Sequence, residues 1–254
     1  MRVLASPGLS VLKFGASLLA DADGYRAVAM ELLREVGGGR RVLAVVSARR
    51  GVTDALLSEA RALGHRGDSD LQARLLGTGE EASAALLALA VRQVGLRVAA
   101  LSAGELSLRT EGPADDAVPV GLAGEALRDV VRTHDVTVVP GFVGRDAAGR
   151  PTLLGRGGSD YTALFLGAWL GAEEIRLVKD VDGVFLGDPR TPSTGRADAL
   201  RSATWDEVAR LGNGVVQPKA LAFAASRGVA FRVTGLGGRG TGVGRDRSVR
   251  RLPV

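Results

Sequence analysis

Hydrophobic and polar positions change period repeatedly along this chain. Short, largely apolar runs alternate with longer stretches in which apolar residues recur every three or four positions. The first pattern suits strands buried on both faces, the second helices that lie on a sheet. Residues 9–14, 41–47, 97–101, 136–140, 174–178, 184–186 and 229–233 read as strands. Residues 23–36, 53–63, 121–133, 159–170, 205–211 and 218–226 read as helices. Residues 70–94 read as a long helical region interrupted around Gly77-Thr78-Gly79, and residues 144–153 as a hairpin turning through Asp146 to Gly149. Gly37-Gly38-Gly39 and Gly64 stand where helix stops are wanted.

This alternation predicts an α/β fold, an open and mostly parallel sheet sandwiched by helices. No Pro/Ser-rich linker divides the 254 residues, so two lobes sharing one sheet fit better than two autonomous domains. No apolar run reaches about 18 residues without a charge, which argues against a membrane span. The apolar part of the N-terminus is too short for a secretory signal, and a cytoplasmic location is expected.

Composition narrows the chemistry. Cys is absent, which excludes a disulfide framework, a thiolate metal site and a Cys nucleophile. His65 and His134 are the only histidines, too few for a His-based metal centre, and no dedicated protein metal site is expected. The net charge of +5 suggests nucleic acid until its distribution is read. Residues 235–254 carry five arginines against Asp246, and so hold four of the five charges in a Gly/Arg-rich tail that reads as weakly ordered. The rest shows no basic stripe with interleaved aromatics, so no nucleic-acid partner is expected. Of 33 basic residues only Lys13, Lys179 and Lys219 are lysines. In so Arg-biased a chain each is a candidate for a position that needs a compact ammonium.

Three segments carry candidate chemistry. In the first, a strand ends in Lys13 and continues through Phe14, Gly15 and Ala16, small residues that let a phosphate approach backbone N–H groups. It is not a Walker A loop, because no GxxxxGK[ST] occurs in the chain. In the second, Arg156, Gly157 and Gly158 lead into a helix whose cap and first turn hold Ser159 and Asp160. Arg156 suits a bidentate contact with a carboxylate or phosphate. In the third, a strand runs into Lys179-Asp180-Val181-Asp182-Gly183, a second apolar stretch carries Phe185, and Asp188-Pro189-Arg190 follows. Acids and bases on loops at strand ends fit a nucleotide or metal–phosphate site in an open α/β sheet.

These segments, in this order, resemble the catalytic domain of aspartate kinases, within the amino-acid kinase superfamily. The resemblance runs from about Leu12 to Val233. It is carried by Lys13-Phe14-Gly15, Val46-Ser47-Ala48 with Thr53-Asp54, Gly79-Glu80 with Ser83, Pro140-Gly141-Phe142 with Gly144, residues 154–163, and residues 179–185 with 188–190. It implies ATP-dependent phosphorylation of the side-chain carboxylate of L-aspartate, a step towards lysine, threonine and methionine. It divides residues 1–234 into a substrate side and, from about residue 150, a nucleotide side, with 235–254 as the tail. Lys13 would neutralise the phosphoryl group in flight, and Asp160 would orient Lys13. Arg156, with Gly157, Gly158 and Ser159, would hold the substrate carboxylate, and Glu80 its ammonium. Ser47, Thr53 and Ser83 would line the amino-acid pocket. Gly15, Ala16, Lys179, Asp180, Asp182, Phe185, Arg190 and Lys219 would serve ATP, with Mg²⁺ bridging its phosphates mostly through water.

The chain also departs from the family pattern. Gly-Thr-Ser of the first element stands here as Ala16-Ser17-Leu18, the Thr before Asp-Val-Asp as Lys179, and the Tyr of that element as Phe185. A Gly-Ala-Lys-Val-Leu-His-Pro element stands as residues 212–218, with Gly214 at its phosphate-binding Lys, so Lys179 or Lys219 is expected to supply the missing charge. The ACT regulatory domains usual in aspartate kinases do not follow, so feedback through an ACT domain in this chain is not expected. A homodimer or a separate regulatory chain remain as partner arrangements. Two other functions stay open: a relative acting on another small carboxylate, phosphate or carbamate acceptor, and a kinase-fold regulatory subunit with little turnover.

Overall fold

The computed structural model describes residues 8–65, 67, 70–123, 125–186, 199–211 and 214–245. Twelve strands and eight helices are formed among them. The strands are β1 Leu9–Phe14, β2 Arg41–Val46, β3 Val98–Ala100, β4 Leu108–Glu111, β5 Val118–Leu122, β6 Val136–Pro140, β7 Val143–Arg145, β8 Pro151–Leu153, β9 Glu174–Val178, β10 Ser202–Thr204, β11 Phe231–Thr234 and β12 Thr241–Gly244. The helices are α1 Ala22–Gly37, α2 Val52–Ala62, α3 Asp70–Gln93, α4 Ala103–Leu106, α5 Ala126–Thr133, α6 Gly158–Leu170, α7 Trp205–Leu211 and α8 Pro218–Arg227.

Eight strands make the main sheet in the order β10-β12-β11-β9-β1-β2-β6-β3, in which only the β11–β12 pair is antiparallel. Period-two alternation gives each face its own core. Leu12, Phe14, Val42, Ala44 and Val46 meet α1 and α3 through Val28, Leu32, Leu87 and Val91. Val11, Leu43, Val45, Ile175 and Leu177 meet Leu164 of α6 and the residues of α5 and α8 on the other face. At the centre of the fold, α6 is apolar on every side, as a helix between sheet and outer layer must be. The mostly parallel α/β sandwich read from the sequence is the fold observed.

A second, four-stranded sheet, β5-β4-β7-β8, stands apart from the main one. It was not in the expected two lobes sharing one sheet. Its β7–β8 hairpin is the one read from the sequence, but β4, β5 and the one-turn α4 were not. The stretch 121–133, read as a helix throughout, begins as the end of β5 and turns helical only at Ala126. Val118 and Val120 carry the strand's alternation upstream of that window.

Three further expectations are corrected. The long helix α3 is not interrupted at Gly77-Thr78-Gly79. A Cβ at Gly77 would lie 3.2 Å from Val143, and one at Gly79 would lie 3.1 Å from Val52 and 3.2 Å from Ala48. These glycines let neighbours approach an intact helix rather than breaking it. Residues 184–186 form no strand; Phe185 makes an isolated bridge with Ala199. Residues 241–244, assigned to a weakly ordered tail, form β12 and lie between β10 and β11, with Thr241 and Val243 fully buried. A run so rich in Gly carries little hydrophobic signal of its own, and its order comes from two flanking strands. Among the described residues no helix is long and apolar enough to cross a membrane.

Candidate active site

The alternation that builds the core also aims two lysines. Lys13 follows Val11 on the α6 face of β1, and Lys179 follows Leu177 on the same face just beyond β9. Lys13 is paired in register with Leu177, so both ammonium groups sit at the C-terminal edge of adjacent parallel strands. Open α/β sheets place ligands at this edge. Opposite them, Asp160 lies in the first turn of α6, 2% exposed. Its Oδ1 lies 2.8 Å from Lys13 Nζ, and its Oδ2 accepts a hydrogen bond of 2.6 Å from Lys179 Nζ. One buried carboxylate thus holds two ammonium groups apart and aims both.

The charge balance of this cluster follows from burial. Burial pulls the Lys13 ammonium down to about 8, with Asp160 working against that and Lys179 adding to it. Burial alone would raise the Asp160 carboxyl, but Lys13 and Lys179 outweigh it and hold it below the ordinary carboxylate range. Glu80, on α3 and 3% exposed, is pushed by burial up to about 7, although the Ala48 N–H and Lys13 favour its charged form. Its Oε2 is buried and has no hydrogen-bond partner among the described residues. Two cations, one firmly ionised carboxylate and a second carboxyl with an open acceptor make a place for an anion beside a cation.

Local backbone brings α6 to this position. Gly155 and Gly157 flank Arg156 with φ of 72° and 77°, so the turn before α6 needs two residues without a side chain. Gly141, at the end of β6, touches Ser159: a Cβ there would come within 2.6 Å of Ser159 Cβ. The next residue, Phe142, has a φ of 70° inside a three-residue turn closed by Val143 N–H to Gly141 O at 2.8 Å. Such a turn is strained for a side-chain-bearing residue. The Phe142 N–H donates to Thr162 Oγ1, which itself donates to Gly158 O, fastening the strained turn to the start of α6.

The other expected residues divide. Ser47 follows β2 with its N–H on Phe14 O at 3.2 Å, and Thr53 lies half-buried in the first turn of α2. Gly15 N–H reaches Val178 O at 3.4 Å, and a Cβ there would find Lys13 Nζ and Ser17 Oγ at ordinary contact distances. Ala16 is half-buried beside it. Asp180 and Asp182 are exposed on the loop after β9. Asp182 Oδ1 accepts from Gly235 N–H at 2.9 Å, and Val184 N–H donates to Thr241 Oγ1 at 2.8 Å. The loop therefore rests on the segment that leads into β12. Phe185 is half-buried on its bridge to Ala199, and Arg190 lies outside the described residues. Arg156 is exposed and, among the described residues, has no ion-pair partner.

Two expected residues are placed otherwise than the sequence reading had them. Ser83 is fully buried, and its hydroxyl is hydrogen-bonded to Tyr25 Oη at 2.8 Å, joining α3 to α1 rather than lining an open pocket. Lys219 Nζ is surrounded by Asp116 O at 2.8 Å, Asp116 Oδ1 at 2.6 Å, Ala117 O at 3.0 Å and Leu154 O at 3.2 Å. An ammonium has three protons and these four acceptors occupy them, so Lys219 is not a free charge for a nucleotide phosphate. Of the two lysines expected to replace the absent charge at Gly214, only Lys179 joins the cluster of Lys13 and Asp160.

Sequence reading missed Tyr25, Phe142, Asp116, Gln217 and Thr241 as parts of this neighbourhood. Helical spacing with Val28, Ala29 and Leu32 marked Tyr25 as inward-facing, and Phe142 lay in a quoted element. Gln217 lay in the 212–218 element, but nothing local marked Asp116 or Thr241, which come to the site from distant parts of the chain.

The chain is 34% identical over 229 residues to an aspartokinase of Geobacillus stearothermophilus, covering 89% of this chain and 56% of that protein. It is 33% identical over 229 residues to aspartokinase 2 of Bacillus subtilis, with the same coverage of this chain and 56% of that protein. The chain spans about half the length of the curated relatives it matches. The crystal structure of an aspartate kinase from Synechocystis superposes with a TM-score of 0.80 at 32% identity, covering 96% of this chain and 41% of that one. The model of the amino acid kinase family matches residues 8–235, a span that takes in β1, the Arg156 turn, Asp160 and Lys179. With sheet order, strand-edge lysines and family match all agreeing, this chain belongs to the amino acid kinase family.

Proposed function

We propose that this chain transfers the γ-phosphoryl group of ATP to the side-chain carboxylate of L-aspartate, giving 4-phospho-L-aspartate and ADP. The observation that carries the reading is the single buried Asp160 holding Lys13 and Lys179 at adjacent strand ends. Phosphoryl transfer needs charge stabilisation and alignment more than covalent help. Two pre-aimed ammonium groups, one buried and one largely so, provide that without reorganisation as charge develops. Lys13 and Lys179 take the equatorial oxygens of the transferring group, and Asp160 keeps both in position.

The acceptor side supports an amino acid. Glu80 Oε2, buried and without a described partner, suits the substrate ammonium, whose arrival ionises this carboxyl fully. Arg156, exposed at the mouth beside Gly157, Gly158 and Ser159, suits the α-carboxylate. Ser47, just after β2, and Thr53, in the first turn of α2, offer hydroxyls for the amino-acid side. On the nucleotide side, Gly15 and Ala16 leave room for phosphates, while Asp180, Asp182 and Phe185 border the base and ribose. Among the described residues no three His, Cys, Asp or Glu side chains converge as a metal site. Mg²⁺ belongs to this reading as part of the ATP–Mg²⁺ substrate.

The test is ADP release from ATP and Mg²⁺ with a panel of amino acids and other small carboxylates. Release that depends on L-aspartate, with a hydroxamate-forming acyl phosphate as product, is expected. Release with a different acceptor, or none with any, would replace the reading with one of the two alternatives above.

A further inference from the structure

Lys219 has no part in the cluster that would handle phosphate, yet its ammonium is more fully engaged than those of the other two lysines. Its four acceptors come from two places, the β4–β5 loop (Asp116 and Ala117) and the end of β8 (Leu154). Leu154 immediately precedes the Gly155-Arg156-Gly157 turn. The loop and β8 are already paired, by Leu153 N–H to Ala114 O at 2.6 Å and Ala117 N–H to Leu153 O at 2.8 Å. Lys219 then bolts that pair to the first turn of α8.

Two contacts carry this to the Arg156 turn itself. The Asp116 carboxylate, held by Lys219, lies directly against Gly155, where any Cβ would collide with it. Gln217, two residues before Lys219, lies equally close against Gly157. The turn is thus walled on one side by the residue that Lys219 grips and on the other by the helix end that carries Lys219. Arg156 itself makes no described ion pair that could orient it, so the shape of its backbone decides where the guanidinium points.

We propose that Lys219 is a positioning residue for acceptor binding: through Asp116, Leu154 and the α8 N-terminus it fixes the Gly155-Arg156-Gly157 turn. This rests on the acceptor role given above to Arg156. The consequence is directional. Loss of the ammonium loosens the acceptor side while Lys13, Lys179 and Asp160 stay joined to one another.

The experiment compares the wild-type chain with Lys219→Met, Lys219→Arg and Asp116→Ala, using amide hydrogen exchange and steady-state kinetics with ATP and the acceptor found active. In Lys219→Met, exchange is expected to quicken at 114–117 and 153–158. The KM for the acceptor is expected to rise roughly tenfold, with kcat and the KM for ATP within about twofold of wild type. Lys219→Arg should recover part of the acceptor KM, since a guanidinium still reaches carbonyl and carboxylate oxygens. Asp116→Ala should shift the acceptor KM in the same direction and covers the case that Lys219→Met does not fold. A rise in the KM for ATP with acceptor KM unchanged would overturn the proposal in favour of a nucleotide role. Quickened exchange without any change in acceptor KM would reduce Lys219 to a structural tie and also overturn it. Exchange needs no turnover, so a chain inactive with every acceptor defeats the proposed function while exchange still decides whether Lys219 fixes the turn.

Discussion

Lys13 and Glu80 sit in the same buried cluster, and burial moves each towards its neutral form. On the proposed function Lys13 acts as an ammonium, which burial pulls down to about 8, and Glu80 as a carboxylate, which burial pushes up to about 7. Under that reading the free enzyme should lose acceptor binding as pH falls through the Glu80 range and phosphoryl stabilisation as pH rises through the Lys13 range. A plot of kcat/KM for the acceptor against pH should be bell-shaped and narrow, its two limbs belonging to the coupled cluster. Glu80→Gln should remove the acid limb and lower kcat/KM by roughly a hundredfold. The same variant has an opposite effect on stability. A carboxyl whose folded value lies above its unfolded value stabilises below the unfolded value, and that contribution is lost as pH rises through the folded one. At pH 8 wild-type Glu80 is buried and ionised, so Glu80→Gln should melt at a higher temperature there, the usual opposition of site and stability. Lys13→Ala should lower kcat by several orders of magnitude with little loss of fold, measurable by turnover and by circular dichroism.

At the scale of elements, contact between the end of β6 and the first turn of α6 sets the site. Gly141→Ala places a methyl group within 2.8 Å of the Ser159 backbone, which cannot move aside as a side-chain tip can. It should push α6 and Asp160 away from Lys13, lowering kcat about a hundredfold at a cost of only about 1–3 kcal/mol in stability. Turnover and a denaturant titration would separate the two. The element record also shows what local pattern conveys. Strands β1, β2, β6 and β9 were legible because their runs are short and mostly apolar or β-branched, and α1, α6 and α8 because their ends carry stop and start residues. The short β4, β5, β10 and β12 were not legible. Each is three to five residues long and is ordered by neighbours rather than by its own propensity. Gly77 and Gly79 misled for a related reason: in isolation a helical glycine reads as a break, whereas packed against Val143, Val52 and Ala48 it reads as a close approach.

For the whole molecule, the loop after β9 and the sheet edge depend on residues beyond the apparent end of the domain. Thr241 Oγ1 accepts from Val184 N–H and donates to Leu200 O, and β12 fills the place between β10 and β11. A chain shortened to residue 234 would leave β10 without a partner strand and bare the buried side of Phe231 and Val233. It should melt on the order of 10 °C lower and self-associate, seen by thermal melting and size-exclusion chromatography.

By itself the sequence determined the α/β class, the main strands, the positions of Lys13, Arg156, Asp160 and Lys179, and the membership these imply, because periodicity and short motifs are local properties. Only the tertiary structure decided which lysine sits where. Lys179 joins Asp160 because strand register sets it beside Lys13, and Lys219 stands outside that cluster because a loop about a hundred residues away surrounds its ammonium with oxygen. Both lysines look alike in sequence; their surroundings, assembled from distant segments, set one beside Lys13 on a shared carboxylate and enclose the other in carbonyl and carboxylate oxygens.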